Sequence, residues 1–444
     1  MLLTLLTLPA LGLLTFAGCS VSESDTSTTR PAPATNSVSV ESISADSATL
    51  CVAMGASSTA GLTLTDAQAQ SKNGAVVSPA TDTVTPPHVI PLGVWTNVTP
   101  VNVDLTRELS CGNFGVENVQ VDPNRRSDFY AQFNCQGIWK SVDYGKTWVG
   151  PINTGRNGST VSDCAGGIRI APGSTASPAT LYLSCIRGAA TGFWRSLDGG
   201  VSWSHYAIAP AAGNRQDVYA PSADPYDARH LIMAGHEQDL LVESIDGGQK
   251  WTRIAMNAGM RAGHGTGSIA FINTGSAATT RGTFLWLAQQ SGGNYGTWRT
   301  TDGGASWTQV DKNEHPHGFA EVYQPDAGGV VYMAGAYSLK GWGVLRSTDY
   351  GVTWAHVGAS GNQRVVFGTP KHVYSAFSYP TGLGASDGPS LQMAAQPGTG
   401  PWTQQKTPAA MKEGATQVAV GFDGTHYHLV SAHYGSGLWL YIEP

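Results

Sequence analysis

Charged residues are scarce: they make up 13% of the 444-residue chain, and its 25 Lys and Arg never gather into a run. With a net charge of −6 and no basic stripe, a nucleic-acid partner is not expected, because phosphates would have to be met by clustered cations. No glycine-rich loop opens a helix, so the backbone cradle that nucleotide cofactors require is missing and no cofactor is expected. The six cysteines contain no C-x-x-C pair, which removes the usual spelling of a thiolate metal site. Beyond the first 18 residues there is no long apolar run that could span a bilayer.

What is abundant is glycine (55), tryptophan (13) and tyrosine (16), a composition suited to an all-β chain with many tight turns. One spelling, Ser/Thr-x-Asp-x-Gly-x-x-Trp, occurs five times, as Ser141 to Trp148, Ser196 to Trp203, Ser244 to Trp251, Thr300 to Trp307 and Ser347 to Trp354. Each copy carries turn chemistry. The hydroxyl and carboxylate can accept from backbone N–H groups of a bend, the shared Gly can take positive φ, and the Trp can pack beneath. Asp143, Asp198, Asp246, Asp302 and Asp349 are therefore expected to be structural. The motif is the Asp-box (BNR repeat), and the chain resembles the Asp-box β-propeller superfamily, with its sialidase-like, xyloglucanase-like and non-enzymatic members.

The tryptophans of the boxes step by 55, 48, 56 and 47 residues; Trp402 follows by 48 and Trp95 precedes Trp148 by 53. A period near 50 is that of a four-stranded propeller blade. Seven units follow, and only 42 residues remain after Trp402, enough for three strands. The segment around Trp95 reads like an outer strand. The expectation is an all-β, seven-bladed propeller over 89–444 whose N-terminal strand completes the last blade and removes an open edge.

Residues 1–18 read as a signal peptide, and Cys19 resembles the acylated cysteine of a bacterial lipoprotein. No Lys or Arg precedes the apolar core, and an ordinary cleaved signal is the alternative. Residues 19–88, rich in Ser, Thr, Ala and Pro, read as a disordered tether. The implied location is the cell envelope or surface, with membrane attachment through a lipid anchor only, or secretion. The protein is expected to act as a monomer. Within the repeat, Cys111 and Cys164 stand before first strands while Cys135 and Cys185 stand where second strands end. Antiparallel pairing then predicts bridges Cys111–Cys135 and Cys164–Cys185, with Cys51 left over.

In such a fold the starts of the first strands and the ends of the second strands share one face, opposite the Asp-boxes. Those positions bring together Asp163, Arg187, Arg215, Asp217, His236, Glu237, His264, His317, Tyr337, Arg364, Glu413, His433 and Tyr434. Planar donors and aromatic faces of this kind suit a polysaccharide or glycan. Hydrolysis would need a pair of carboxylates from Asp163, Asp217, Glu237 and Glu413. Elimination from a uronate would need Arg187, Arg215, Arg364 or a His on the carboxylate, with His236, His264 or Tyr434 moving protons, and His317, Tyr337 and His433 binding sugar. The sialidase signature has only a weak counterpart, Arg169-Ile170-Ala171-Pro172, which is one residue too long and lies after the first box. The stretch matching the xyloglucanase catalytic Asp, Phe133 to Gly137, contains no Asp. A non-catalytic glycan- or protein-binding scaffold, or assembly factor, is the remaining class. No metal is expected, since the histidines come from separate blades without a helical ligand pair.

Overall fold

The computed structural model describes residues 89–106, 114–173, 178–208, 215–261, 267–288, 296–312, 322–334, 343–359, 363–377 and 390–444. The leader, Cys19, the tether, Cys51 and Cys111 lie outside them. The described residues form seven small antiparallel sheets. Blade 1 spans 116–149, blade 2 165–206, blade 3 222–253, blade 4 269–311, blade 5 323–356 and blade 6 365–404. Blade 7 combines 417–442 with the N-terminal strand Thr96–Asn97, whose residues pair with Leu440 and Trp439. In two blades a ladder shrinks to a single bridge: Lys140 to Val149 at the outside of blade 1, and Tyr323 to Tyr332 at the inside of blade 5.

Apolar residues fill the slabs between blades, as sheets with two buried faces require. Val98, Val116, Phe129, Val430 and Leu440 pack blades 7 and 1 together; Tyr182, Phe193, Leu231, Met233 and Trp251 pack blades 2 and 3. Around the channel, inner strands are tied by side chains. Asn118 Oδ1 accepts from Ile168 N (2.9 Å), Arg169 donates to Gln120 Oε1 (2.9 Å) and to Pro221 O (3.0 Å), and Ser222 Oγ accepts from Phe271 N (3.1 Å).

The boxes are hairpin staples. In the first, Ser141 Oγ donates to Asp143 Oδ1 (2.8 Å) and accepts from Gly145 N (2.9 Å), Asp143 Oδ1 accepts from Thr147 N (2.9 Å), and Trp148 Nε1 caps Gly145 O (3.1 Å). Gly248 shows why the box glycine is needed: its φ is +84°, and a Cβ there would lie 2.1 Å from the Phe193 ring of the preceding blade. The hydroxyl and backbone N–H of Ser306 hold the Asp302 carboxyl down to about 2, so this turn keeps its charge well into acid.

Cys164 and Cys185 are bonded, as the strand phasing predicts, and Cys135 is also disulfide-bonded. Its predicted partner, Cys111, is outside the described residues. Breaking Cys164–Cys185, which closes 21 residues, is expected to remove about 3 kcal/mol. The check is the thermal midpoint of Cys164→Ser against the parent. An unchanged midpoint would mean that strand pairing alone already fixes the loop.

Candidate functional site

The rim opposite the boxes is built where second strands end and first strands begin. In blade 3 the segment before Ser222–Asp224 lies against the end of Asp227–Ala234: Tyr219 N donates to Ala234 O (3.0 Å) and His236 N to Asp217 O (3.0 Å). Arg215 and Asp217, two apart on extended chain, share a face. Asp217 Oδ2 meets His236 Nδ1 at 2.9 Å, while Oδ1 takes Arg215 Nε at 3.1 Å. Arg215 Nη2 also donates to the carbonyls of His236 (2.6 Å) and Glu237 (3.1 Å), and Gln238 Nε2 donates to Asp217 Oδ1 (3.2 Å). The edge of Tyr219 packs on the imidazole at 5.5 Å.

Burial pushes the Asp217 carboxyl up, but the hydrogen bonds from His236 and Arg215 outweigh it and hold the group below the usual carboxylate range. With Asp217 ionised, the imidazole tautomer that donates Nδ1–H to it is the one with its lone pair on Nε2. Nε2 stands 3.8 Å from Glu237 Oε1, and the Glu237 side chain is 41% exposed. Glu237 takes φ +49°, a left-handed conformation that a non-glycine side chain adopts only where its surroundings impose it. Next door in blade 2, Asp163 Oδ2 accepts from Ala189 N (3.0 Å), and the half-buried Arg187 lies over the Phe114 ring at 5.3 Å.

Other residues predicted for this face are present but buried. Arg364 lies over the ring of Tyr434 at 5.3 Å, with both residues inside the protein, and Glu413 Oε2 accepts from Ser436 N (3.1 Å). His433, 1% exposed, donates Nδ1–H to Glu413 O (2.7 Å), faces Ser431 Oγ with Nε2 (2.5 Å) and has Trp95 edge-on at 6.3 Å. The structure therefore separates the predicted set: on blades 2 and 3 Glu237 is exposed, Asp163, Arg187, Arg215 and His236 are partly covered and Asp217 is buried, whereas Arg364, Glu413, His433 and Tyr434 on blades 6 and 7 are all buried. His264, His317 and Tyr337 lie outside the described residues. Among the described residues no three His, Cys, Asp or Glu are grouped to hold a metal ion.

Burial pushes His433 down to about 4, against a smaller opposing pull from the Glu413 carbonyl. Between the ordinary value of 6.5 and about 4 the folded state then binds fewer protons than the unfolded chain. Stability is expected to fall as pH drops through that window, by on the order of 3 kcal/mol from this group. His433→Gln should flatten the acid limb of a melting-temperature profile between pH 6.5 and 4. An identical limb in the variant would assign the acid sensitivity elsewhere.

Two features escaped the sequence reading. Gln238, which braces Asp217, stands two residues after His236, and that spacing was the available signal. The second is a glycine opening the third strand of five blades: Gly137, Gly192, Gly296, Gly343 and Gly437, all at positive φ. Gly296 shows the cause, since a Cβ would fall 1.9 Å from Asp311 O of the outer strand. The recurring Gly-x-Trp/Leu was its trace in the sequence.

No protein-family model and no curated protein matches the chain. Solved structures do. The GH74 xyloglucanase from Xanthomonas campestris aligns with a TM-score of 0.53 at 16% identity over 78% of this chain and 53% of its own. An ancestral GH74 enzyme aligns at 0.51 and 15% identity over 73% and 44%, so this chain spans about half the length of either enzyme. YCF48 from Cyanidioschyzon merolae aligns at 0.46 and 14% identity over 79% of this chain and 99% of its own. What the chain shares with the two GH74 enzymes is the fold; this chain is a seven-bladed β-propeller that carries the Ser/Thr-x-Asp-x-Gly-x-x-Trp turn on five of its blades.

Proposed function

We propose that this protein binds a polysaccharide across the blade 2 and blade 3 rim and cleaves it with His236 as the acid–base group. The observation that carries the proposal is the Asp217–His236 pair. One nitrogen is held on a carboxylate kept below its usual range and the other faces the exposed Glu237 side chain at 3.8 Å, an arrangement that suits a positioned general base. Carbohydrate is the favoured ligand class because two structural neighbours with TM-scores of 0.53 and 0.51 are named as GH74 enzymes, one of them a xyloglucanase. On a uronate polymer, Nε2 would take the proton beside the carboxylate. The electron pair left behind forms the carbon–carbon double bond as the bond to the leaving oxygen breaks, and that oxygen takes the proton back from Nε2, which returns the imidazole to its starting form. Arg187 and Arg215 supply the positive charge that favours a carboxylated sugar.

Hydrolysis is the second reading, favoured by those same GH74 names. Against it, Asp217 is committed to His236 and Arg215, Asp163 accepts from a backbone N–H and Glu413 is buried on one, so of these four candidates Glu237 alone is exposed. The test is a screen of the full chain against plant, algal and bacterial polysaccharides, reading reducing ends and the ultraviolet absorbance of unsaturated uronates together. Unsaturated ends are expected. Reducing ends without them would replace elimination by hydrolysis, and binding without either product would make the ring a lectin-like receptor.

A further inference from the structure

At the outer edge of the ring, blades 5 and 6 leave a groove of about 500 Å³, within the size range of small-ligand sites, ~300–1,000 Å³. It exists because blade 6 lacks the box. In its place stands Gln396-Pro397-Gly398-Thr399-Gly400-Pro401 ahead of Trp402. In blade 2, Arg195 of the third strand reaches the next blade's box and donates to Gly247 O (3.0 Å); in blade 4, Arg299 does the same to Tyr350 O (2.9 Å). Arg346 is their counterpart in blade 5, and no box carbonyl awaits it. It gives Nε to Tyr332 OH (3.3 Å) and lies 5.8 Å from that ring's centre; no other hydrogen bond of this guanidinium forms among the described residues. Arg346 lines the groove, and its terminal amino groups are unspent among the described residues.

Trp402 forms the opposite wall. Its Nε1 donates to Val357 O (2.7 Å) and Gly398 O (2.9 Å), which fixes the indole with its polar edge inward. Trp148 and Trp203 are wholly buried, whereas Trp402 is only partly covered. Small neighbours keep it so: a Cβ at Gly358 would touch the indole at 3.5 Å, and one at Gly400 meets nothing within 4 Å. His356, on the exposed outer strand, also lines the groove, with its Nε2 on Ala359 O (3.4 Å).

We propose that this groove is a second carbohydrate site, one that takes an acidic sugar unit. The ring face of the pyranose stacks on Trp402 while its carboxylate lies in the fork of Arg346. An aromatic plane beside a planar guanidinium committed only through Nε matches that ligand: the apolar face of the sugar covers the indole, and the two terminal N–H groups meet two carboxylate oxygens. The site shares no residue with the rim, so the proposal does not depend on which reaction occurs there.

The test titrates the full chain calorimetrically with galacturonate and guluronate tetramers, and with cellotetraose as the uncharged control. At least one acidic tetramer is expected to bind with cellotetraose at least tenfold weaker, and Arg346→Gln should lower acidic affinity at least tenfold. Gly400→Leu, which projects a side chain into open groove, should do the same without touching the Trp402 hydrogen bonds. Both variants should leave product formation at the rim unchanged, which separates failure of this site from failure of the rim reading. The proposal is overturned if neither acidic tetramer binds, if cellotetraose binds equally well, or if both variants leave the isotherms unaltered.

Discussion

Removing residues 89–100 is expected to lower the stability of the entire ring, seen as one cooperative melting transition at a markedly lower temperature. The segment is the outer strand of blade 7. Gly93 N donates to Ile442 O (2.8 Å), Val98 N to Leu438 O (2.9 Å) and Leu438 N to Thr99 Oγ1 (2.8 Å). Trp95, 5% exposed, tilts against Tyr441 at 5.2 Å and covers His433. Deletion would leave Leu438–Ile442 as an unpaired edge and open the slab that holds blades 6 and 7 together. Even Trp95→Ala alone should cost about 3–5 kcal/mol, the usual loss for emptying a large aromatic site. A truncated protein that melts like the parent would show that interblade packing closes the ring without the strand.

His236→Ala is expected to reduce turnover by about 10²–10⁴-fold, the share a positioned acid–base group supplies, while the affinity for uncleaved polymer stays near that of the parent. Asp217→Asn should fall in the same range for a different reason. An amide can donate to Nδ1, which would move the proton to Nε2 and point the wrong tautomer at the substrate. Because both changes disable one device, the double variant should be little worse than either single one. Equal loss of binding and turnover in His236→Ala would instead make the histidine part of the binding surface. Undiminished turnover would move the chemistry to another part of the rim.

The fold was legible because its repeat unit spells its own turn: five hydroxyl–Asp–Gly–Trp staples fix phase and period, and Trp95 and Trp402 keep the beat where the box is absent. The Cys164–Cys185 pairing followed from the same phasing, since Ala165 pairs with Arg187 and Gly166 with Cys185. The site was less legible. Position along a strand told which residues reach the rim, yet not whether they end above or beneath it. Arg364, Glu413, His433 and Tyr434 turn inward because blades 6, 7 and 1 close over them; Tyr434 exchanges backbone hydrogen bonds with Val116 of the neighbouring blade. The Asp217–His236 contact bridges 19 residues and depends on where two turns converge, which no local spacing encodes.

The side-by-side ends of the ring have a topological consequence. A Cβ on Gly93 would touch the Pro444 ring at 3.3 Å, so a short linker could join the two and make the propeller endless. New termini could then be cut at Gly424, whose surroundings are open within 4 Å and which turns the first hairpin of blade 7. Such a circular permutant should fold to the same ring, with the seam carried to the hairpin of blade 7. In this architecture the point where the polypeptide begins is a matter of bookkeeping, and the geometry of the rim belongs to the closed cycle of blades.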